Sequence, residues 1–135
     1  MLRIPGVPVL RQRQQAQALV ELALVSAVML VILFAVFEGV WWSYAQNVVT
    51  AAVQDGAQRA SAQNGDLTRG QQRAQDLLNA GLGPSASLVQ LNRGEDAQSV
   101  RLTATGQWPV ATIAGVQISL PLRAEARMLK ERWQP

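Results

Sequence analysis

The stretch from Leu19 to Ala45 reads LVELALVSAVMLVILFAVFEGVWWSYA. Its central part, Leu22 to Phe37, carries no charged residue, and Ser26 is its only polar side chain. A helix that crosses a bilayer core about 30 Å thick needs roughly 20 mostly apolar residues at about 1.5 Å rise each. This stretch meets that requirement, so residues 17–45 are predicted to form a transmembrane helix.

The residues on either side of the apolar stretch predict its orientation. Residues 1–16 contain no acidic residue and three arginines, Arg3, Arg11 and Arg13. Positive charge beside a membrane helix favours the cytoplasmic side, so residues 1–16 are predicted to form a basic cytoplasmic leader. The far end carries three amphipathic aromatics of the kind found at a membrane–water interface, Trp41, Trp42 and Tyr44. Residues 46–135 are therefore expected to form a domain outside the membrane.

The composition argues against most kinds of active site. The chain has no cysteine and no histidine, which removes thiolate chemistry, the commonest general base and the commonest metal ligand. Of its twelve basic residues, nine follow the apolar stretch, where seven acidic residues nearly balance them. A nucleic-acid-binding surface would cluster its positive charge. We expect no enzymatic activity, no catalytic residue, no metal or cofactor, no small-molecule substrate and no nucleic-acid partner.

A helical pattern continues past the apolar stretch. Small and apolar residues recur at spacings of three and four, at Val49, Ala52, Val53, Gly56, Ala57 and Ala60. Polar residues occupy the other side, which is typical of an amphipathic helix. We predict one long helix that breaks near Asn64-Gly65. The six small and apolar residues form a stripe along one side of this helix. We interpret the stripe as a surface that covers the domain's own core rather than as an intermolecular groove.

The remaining residues predict a second helix and a three-stranded antiparallel sheet, an α+β fold. Asp66 is a candidate cap for a helix from Leu67 to Ala80, and glycines 65, 70, 81 and 83 are interpreted as helix ends and turns. Three segments have strand character, Leu88 to Asn92, Val100 to Thr105 and Ile118 to Met128. Pro121 suits an edge strand. Trp108-Pro109 and Gly115 predict a longer connection between the last two strands.

Glu21 is the most informative polar residue. It lies just inside the cytoplasmic end of the predicted membrane helix. The free energy of inserting a carboxylate is lower there than at mid-bilayer, where it is roughly 2.5–3.5 kcal/mol. In one interpretation it lies at headgroup level and favours the dipole of the helix N-terminus. In the other it needs a cationic partner, such as a newly created α-amino group. The spacing alone leaves both open.

Two segments of the sequence resemble a known family. The hexapeptide from Gln17 to Leu22, QALVEL, runs straight into an apolar helix, and NVVTAAVQDGAQRA follows from Asn47 to Ala60. Both are similar to the TadE-like pseudopilins of tight-adherence pilus systems, and the similarity extends more loosely to residues 122–128. Two positions depart from the family pattern. Ala16 stands where a glycine is usual, and Leu22 stands where an aromatic residue usually follows the glutamate.

The resemblance implies a pilin-like α+β fold and a role in pilus assembly. It implies that a prepilin peptidase cuts between Ala16 and Gln17, so that Glu21 becomes the fifth residue of the mature chain and serves assembly by facing an α-amino group. The implied partners are the membrane, that peptidase, other pilin or pseudopilin subunits and the assembly machinery. The implied location is the bacterial inner membrane, with one membrane pass and incorporation into an extracellular pilus as a further step.

Two other functions fit parts of the sequence. An uncleaved single-span adaptor of an envelope or secretion complex would keep its original N-terminus. A secreted domain would be cut after Ser43-Tyr44-Ala45, which resembles the small-x-small site of a signal peptide. The apolar stretch is longer than the 7–15 residues typical of a signal peptide, which argues against secretion. The N-terminal residue of the purified protein distinguishes the three.

Overall fold

A computed structural model of the chain describes residues 7–62 and 65–131. The elements, in order, are α1 (Val7–Ser61), α2 (Leu67–Leu82), a 3₁₀ helix (Gly83–Leu88), β1 (Val89–Glu95), β2 (Ser99–Ile113) and β3 (Val116–Leu129). The strands form one antiparallel sheet in the order β1-β2-β3. The predicted α+β fold, with a long N-terminal helix, a second helix and a three-stranded sheet, is confirmed.

The chain divides into two compact units, Met1–Gly39 and Val40–Pro135, and α1 contributes to both. In the first unit every side chain from Arg13 to Phe37 is exposed. A helix that is apolar on all sides suits a lipid environment. Within the described residues, α1 is the one helix long and apolar enough to cross a membrane.

The core of the second unit lies between α1, α2 and one face of the sheet. All six residues of the predicted α1 stripe are buried, so the interpretation of the stripe as core cover is confirmed. The helix α2 adds Ala74 and Leu78, and the sheet adds alternate residues of β2 and β3, among them Leu102, Ala104, Leu122, Ala124 and Ala126. Alternation places these residues on one face because successive strand side chains point to opposite sides.

Two glycines that were interpreted as helix ends lie inside α2 instead. The helix continues to Leu82, and Gly83, at φ 56°, is its C-cap. A Cβ on Gly70 would lie 2.5 Å from the Gly56 carbonyl oxygen, and a Cβ on Gly81 would lie equally close to a methyl of Val48. Both glycines therefore let α2 approach α1 closely, which explains why a helix tolerates their poor propensity.

The predicted long connection between the last two strands is wrong. Trp108 and Pro109 belong to β2, and only Ala114 and Gly115 separate β2 from β3. The proline is tolerated because β1 pairs with β2 only as far as Gly106, so β2 has a single neighbour at this position. The register with β3 shifts between Pro109 and Ala111, which accommodates one extra residue as a bulge.

The outer edge of β3 is attached to α1 by side-chain hydrogen bonds. The Trp42 indole Nε1 donates to the Pro121 carbonyl at 3.3 Å. The Gln46 amide donates to the Arg123 carbonyl at 2.7 Å and accepts from the Arg123 N–H at 3.3 Å. Gln46 thereby pairs the two free backbone groups of one edge residue. Pro121, which has no N–H to pair, lies on this edge strand as predicted.

Candidate functional site

The proposed processing bond lies within α1. The helix begins at Val7 and runs without interruption through Ala16 and Gln17, whose side chains are both exposed. Backbone groups inside a helix are hydrogen-bonded to partners four residues away. A peptidase that cuts between Ala16 and Gln17 must therefore open the helix locally before the bond becomes accessible.

Glu21 lies one helical turn beyond Gln17, and Arg13 lies one turn before it. Residues four apart share a helix face, so the three form a polar row at the start of the apolar region. The Glu21 side chain is exposed, and within residues 7–62 and 65–131 it has neither a hydrogen bond nor an ion pair. Four residues of rise, about 6 Å, separate it from Gln17 along the helix axis. Among the described residues, Glu21 is thus a carboxylate without a partner, and exposed apolar side chains flank it.

The surface of α1 in the first unit offers several small side chains. Ala23, Ser26, Ala27 and Ala35 are all exposed. Small residues allow the backbones of neighbouring membrane helices to approach closely. Glu38, at the other end of the apolar region, is half-buried.

The three predicted interface aromatics have different surroundings. Trp41 and Tyr44 are exposed, and their ring centroids lie 5.9 Å apart. The Tyr44 hydroxyl also donates to the Gly81 carbonyl at 3.2 Å, which leaves the ring at the surface with its polar atom paired. Trp42 is half-buried against the core. Sequence reasoning missed that Trp42 and Gln46 attach α1 to the sheet, because their partner segment is 77 to 79 residues away.

An open groove of about 570 Å³ lies beside α2 in the second unit. Its charged lining residues are three arginines and three acids, Arg59, Arg69, Arg73, Asp66, Asp76 and Glu131. Arg73 is already paired with Asp55 of α1 at 2.8 Å. The mixed signs favour no particular ligand charge. In the part of the chain that the structure describes, no three side chains of His, Cys, Asp or Glu converge as metal ligands.

A known protein family matches part of α1. Residues 16–58 match the model of a family described as TadE-like protein. The match confirms the resemblance found in the sequence. It covers about a third of the chain and lies entirely within α1, so α2 and the sheet are outside it. No curated protein and no solved structure matches the chain. The apolar helix and the family match together fit a single-pass membrane protein.

Proposed function

We propose that this chain is a TadE-like pseudopilin, or minor pilin, that takes part in the assembly or initiation of a tight-adherence type IV pilus at the bacterial inner membrane. The observation that carries the proposal is the carboxylate of Glu21, which lies at the inner end of an apolar helix, inside the segment that matches the family, and has no partner in the part of the chain that the structure describes. Its role is to recognise a cationic group on a neighbouring subunit.

Peptidase cleavage before Gln17 would supply that group. The cut removes residues 1–16 and their three arginines, and it creates an α-amino group one turn from Glu21. Two unit charges 4 Å apart attract by about 4 kcal/mol at an effective dielectric constant near 20. A carboxylate at lipid depth gains from such a partner, because the partner offsets its desolvation. The pairing favours docking of α1 of one subunit beside α1 of the next.

The remaining features have supporting roles in this mechanism. The apolar helix holds the subunit in the membrane before assembly, with the N-terminus cytoplasmic and residues 46–135 outside. The exposed small residues of α1 then allow close packing against other subunits. The partners are other pilin or pseudopilin subunits, the assembly machinery and the peptidase. The role is structural, without enzymatic activity, cofactor, nucleic acid or small-molecule substrate.

Replacement of the carboxylate tests the proposal. We expect Glu21→Ala to remain in the membrane fraction after alkaline extraction but to lose most of the assembled pilus material, because neighbouring α-amino groups lose their counter-charge. Glu38→Ala is the matched control, since it removes the other acidic residue of the apolar region and should leave assembly intact. Normal pilus assembly by Glu21→Ala would contradict an assembly role and would favour the interpretation that Glu21 lies at headgroup level.

A second candidate function is the uncleaved single-span adaptor. The observations that favour it are the unbroken helix across the Ala16–Gln17 bond and the alanine in place of the usual glycine. Mass spectrometry of the chain purified from its native membrane distinguishes the two functions. We expect the purified chain to begin at Gln17, and we expect Ala16→Gly to raise the cleaved fraction. A chain that begins at Met1 supports the adaptor, and one that begins at Gln46 supports secretion.

A further inference from the structure

The charged residues of the second unit are confined to part of its sequence. Residues 40–54, 77–92 and 102–122 contain no Asp, Glu, Lys or Arg, and every charged residue of the unit lies in the segments between and after them. A domain surrounded by water normally distributes charge over its whole surface. An uncharged region made from three separate segments therefore indicates a different environment.

These three uncharged segments meet at one end of the unit. Three contacts join them, the Tyr44 hydroxyl on the Gly81 carbonyl, the Trp42 indole on the Pro121 carbonyl and the strand pair Val89–Gly106. We call this region the uncharged end. It includes Val40, the first residue of α1 in the second unit. The uncharged end is therefore the end at which α1 enters the unit.

The β2–β3 hairpin extends this end further. Along α1 and β3, Trp42 contacts Pro121, Gln46 contacts Arg123, and the Ser61 carbonyl accepts from the Glu131 N–H, so helix and strand run in the same direction. Within the second unit, the hairpin tip therefore lies toward the end that contains Val40. Val116 lies five residues before Pro121, about 17 Å along the strand.

The tip of the hairpin, residues 111–118, is amphipathic, and its apolar face is open. Ile113 pairs with Val116, and Ala111 pairs with Ile118. Ile113, Val116 and Ile118 are 62%, 66% and 45% exposed. Thr112 and Gln117 form the intervening pair and project to the opposite face, because strand side chains alternate. The tip thus has an uncovered apolar face and a polar one.

We propose that the hairpin tip inserts its apolar face into the membrane interface, so that the outer domain makes a second lipid contact in addition to α1. The ligand class is a lipid surface. The contact restricts tilting of the domain on the bilayer and keeps its charged groove away from the headgroups.

Lipid fits this surface better than a second subunit does. Protein interfaces surround an apolar centre with a polar rim, whereas here the absence of charge extends across α1, the end of α2, the start of β1 and the hairpin. Val40, which belongs to this surface, also directly follows in the chain a helical stretch that has the length and composition of a membrane span. The proposal requires membrane insertion of α1 only, so it stands or falls independently of pilus assembly.

The absence of cysteine makes a direct test possible. The full chain carrying Val116→Cys is labelled with a fluorophore and reconstituted in phosphatidylethanolamine–phosphatidylglycerol vesicles that contain lipids with a nitroxide near the headgroup. Gln117→Cys, on the polar face, and Gln98→Cys, in the turn before β2, are the matched controls. We expect quenching at position 116 to exceed that at 98 several-fold, with 117 between them. Equal quenching at 116 and 98 overturns the proposal.

Two further measurements complete the test. Quenching at position 116 should be the same at high and low protein density in the vesicles. A probe at 116 that enters an apolar environment only at high density would show that a second subunit covers the tip, which overturns the proposal.

With the probe moved to Ile113→Cys, the change Val116→Lys should abolish most of the quenching while circular dichroism stays unchanged. Undiminished quenching in a folded Val116→Lys variant also overturns it.

Discussion

Gly56 has no room for a methyl group. A Cβ at this position would lie 2.7 Å from the Gly70 carbonyl oxygen and 2.9 Å from the Cβ of Ala74. Both belong to α2, so relief of the contact requires movement of a helix backbone rather than rotation of a side chain. The glycine is therefore a requirement of the packing between α1 and α2, and not a local weakness of α1.

We expect Gly56→Ala to lower the free energy of unfolding of the second unit by about 1–3 kcal/mol, the usual cost of overpacking. The loss opposes the gain of about 1 kcal/mol that alanine brings to a helix interior. Urea unfolding of the full chain in detergent, followed by tryptophan fluorescence, measures the change. Gly39→Ala is the control, because a Cβ there has no atom within 4 Å. Equal stability of the two variants would contradict a tight crossing at Gly56.

Among the elements, the β2–β3 hairpin depends on an unusual two-residue turn. Ala114 has φ 50° and Gly115 has φ 81°, and both lie between the paired residues Ile113 and Val116. Two successive positive φ values are typical of a type I′ turn, which Asn-Gly forms most readily. An alanine at the first position is strained because its Cβ approaches a carbonyl oxygen.

Substitutions in this turn should have opposite effects. We expect Ala114→Asn to raise the free energy of unfolding by about 0.5–1 kcal/mol, because asparagine adopts the left-handed conformation at lower cost. Gly115→Ala should lower it by about 1–2 kcal/mol for the converse reason. The same urea measurement applies. A stabilising effect of Gly115→Ala would mean that the hairpin uses a different turn.

The elements also show where sequence patterns mislead. The stripe of α1 and the alternation of β2 and β3 were predicted correctly, because periodicity reports directly which face is buried. Gly70 and Gly81 were misinterpreted because a glycine that allows a close helix approach has the same local signature as one that ends a helix. Pro109 was misinterpreted because its tolerance depends on where the neighbouring strand β1 ends.

For the whole molecule, the orientation in the membrane remains a prediction that labelling can check. We expect Gln98→Cys to react with a membrane-impermeant maleimide on intact spheroplasts, because the positive leader keeps the N-terminus in the cytoplasm. Leu33→Cys, in the apolar region, should resist the same reagent even after lysis. Reaction of Gln98→Cys only after lysis would reverse the assigned topology.

The candidate assembly site could be predicted because it is local. Gln17, Glu21 and the apolar helix are contiguous in the sequence, and helix geometry alone relates them. The uncharged end of the second unit could not be predicted in the same way. Its recognition requires the contact of Trp42 with Pro121, residues that are 79 positions apart.

Length, charge and periodicity act along the chain, so the sequence alone predicts an apolar helix long enough to span a membrane, with a carboxylate near its N-terminal end and an amphipathic α+β domain after it. Only the tertiary structure decided that Gly56 and Gly70 permit the helix crossing, that Gln46 and Trp42 hold the edge of β3, and that three uncharged segments meet around an exposed hairpin. These features depend on contacts between distant segments, and no local pattern encodes which segments meet.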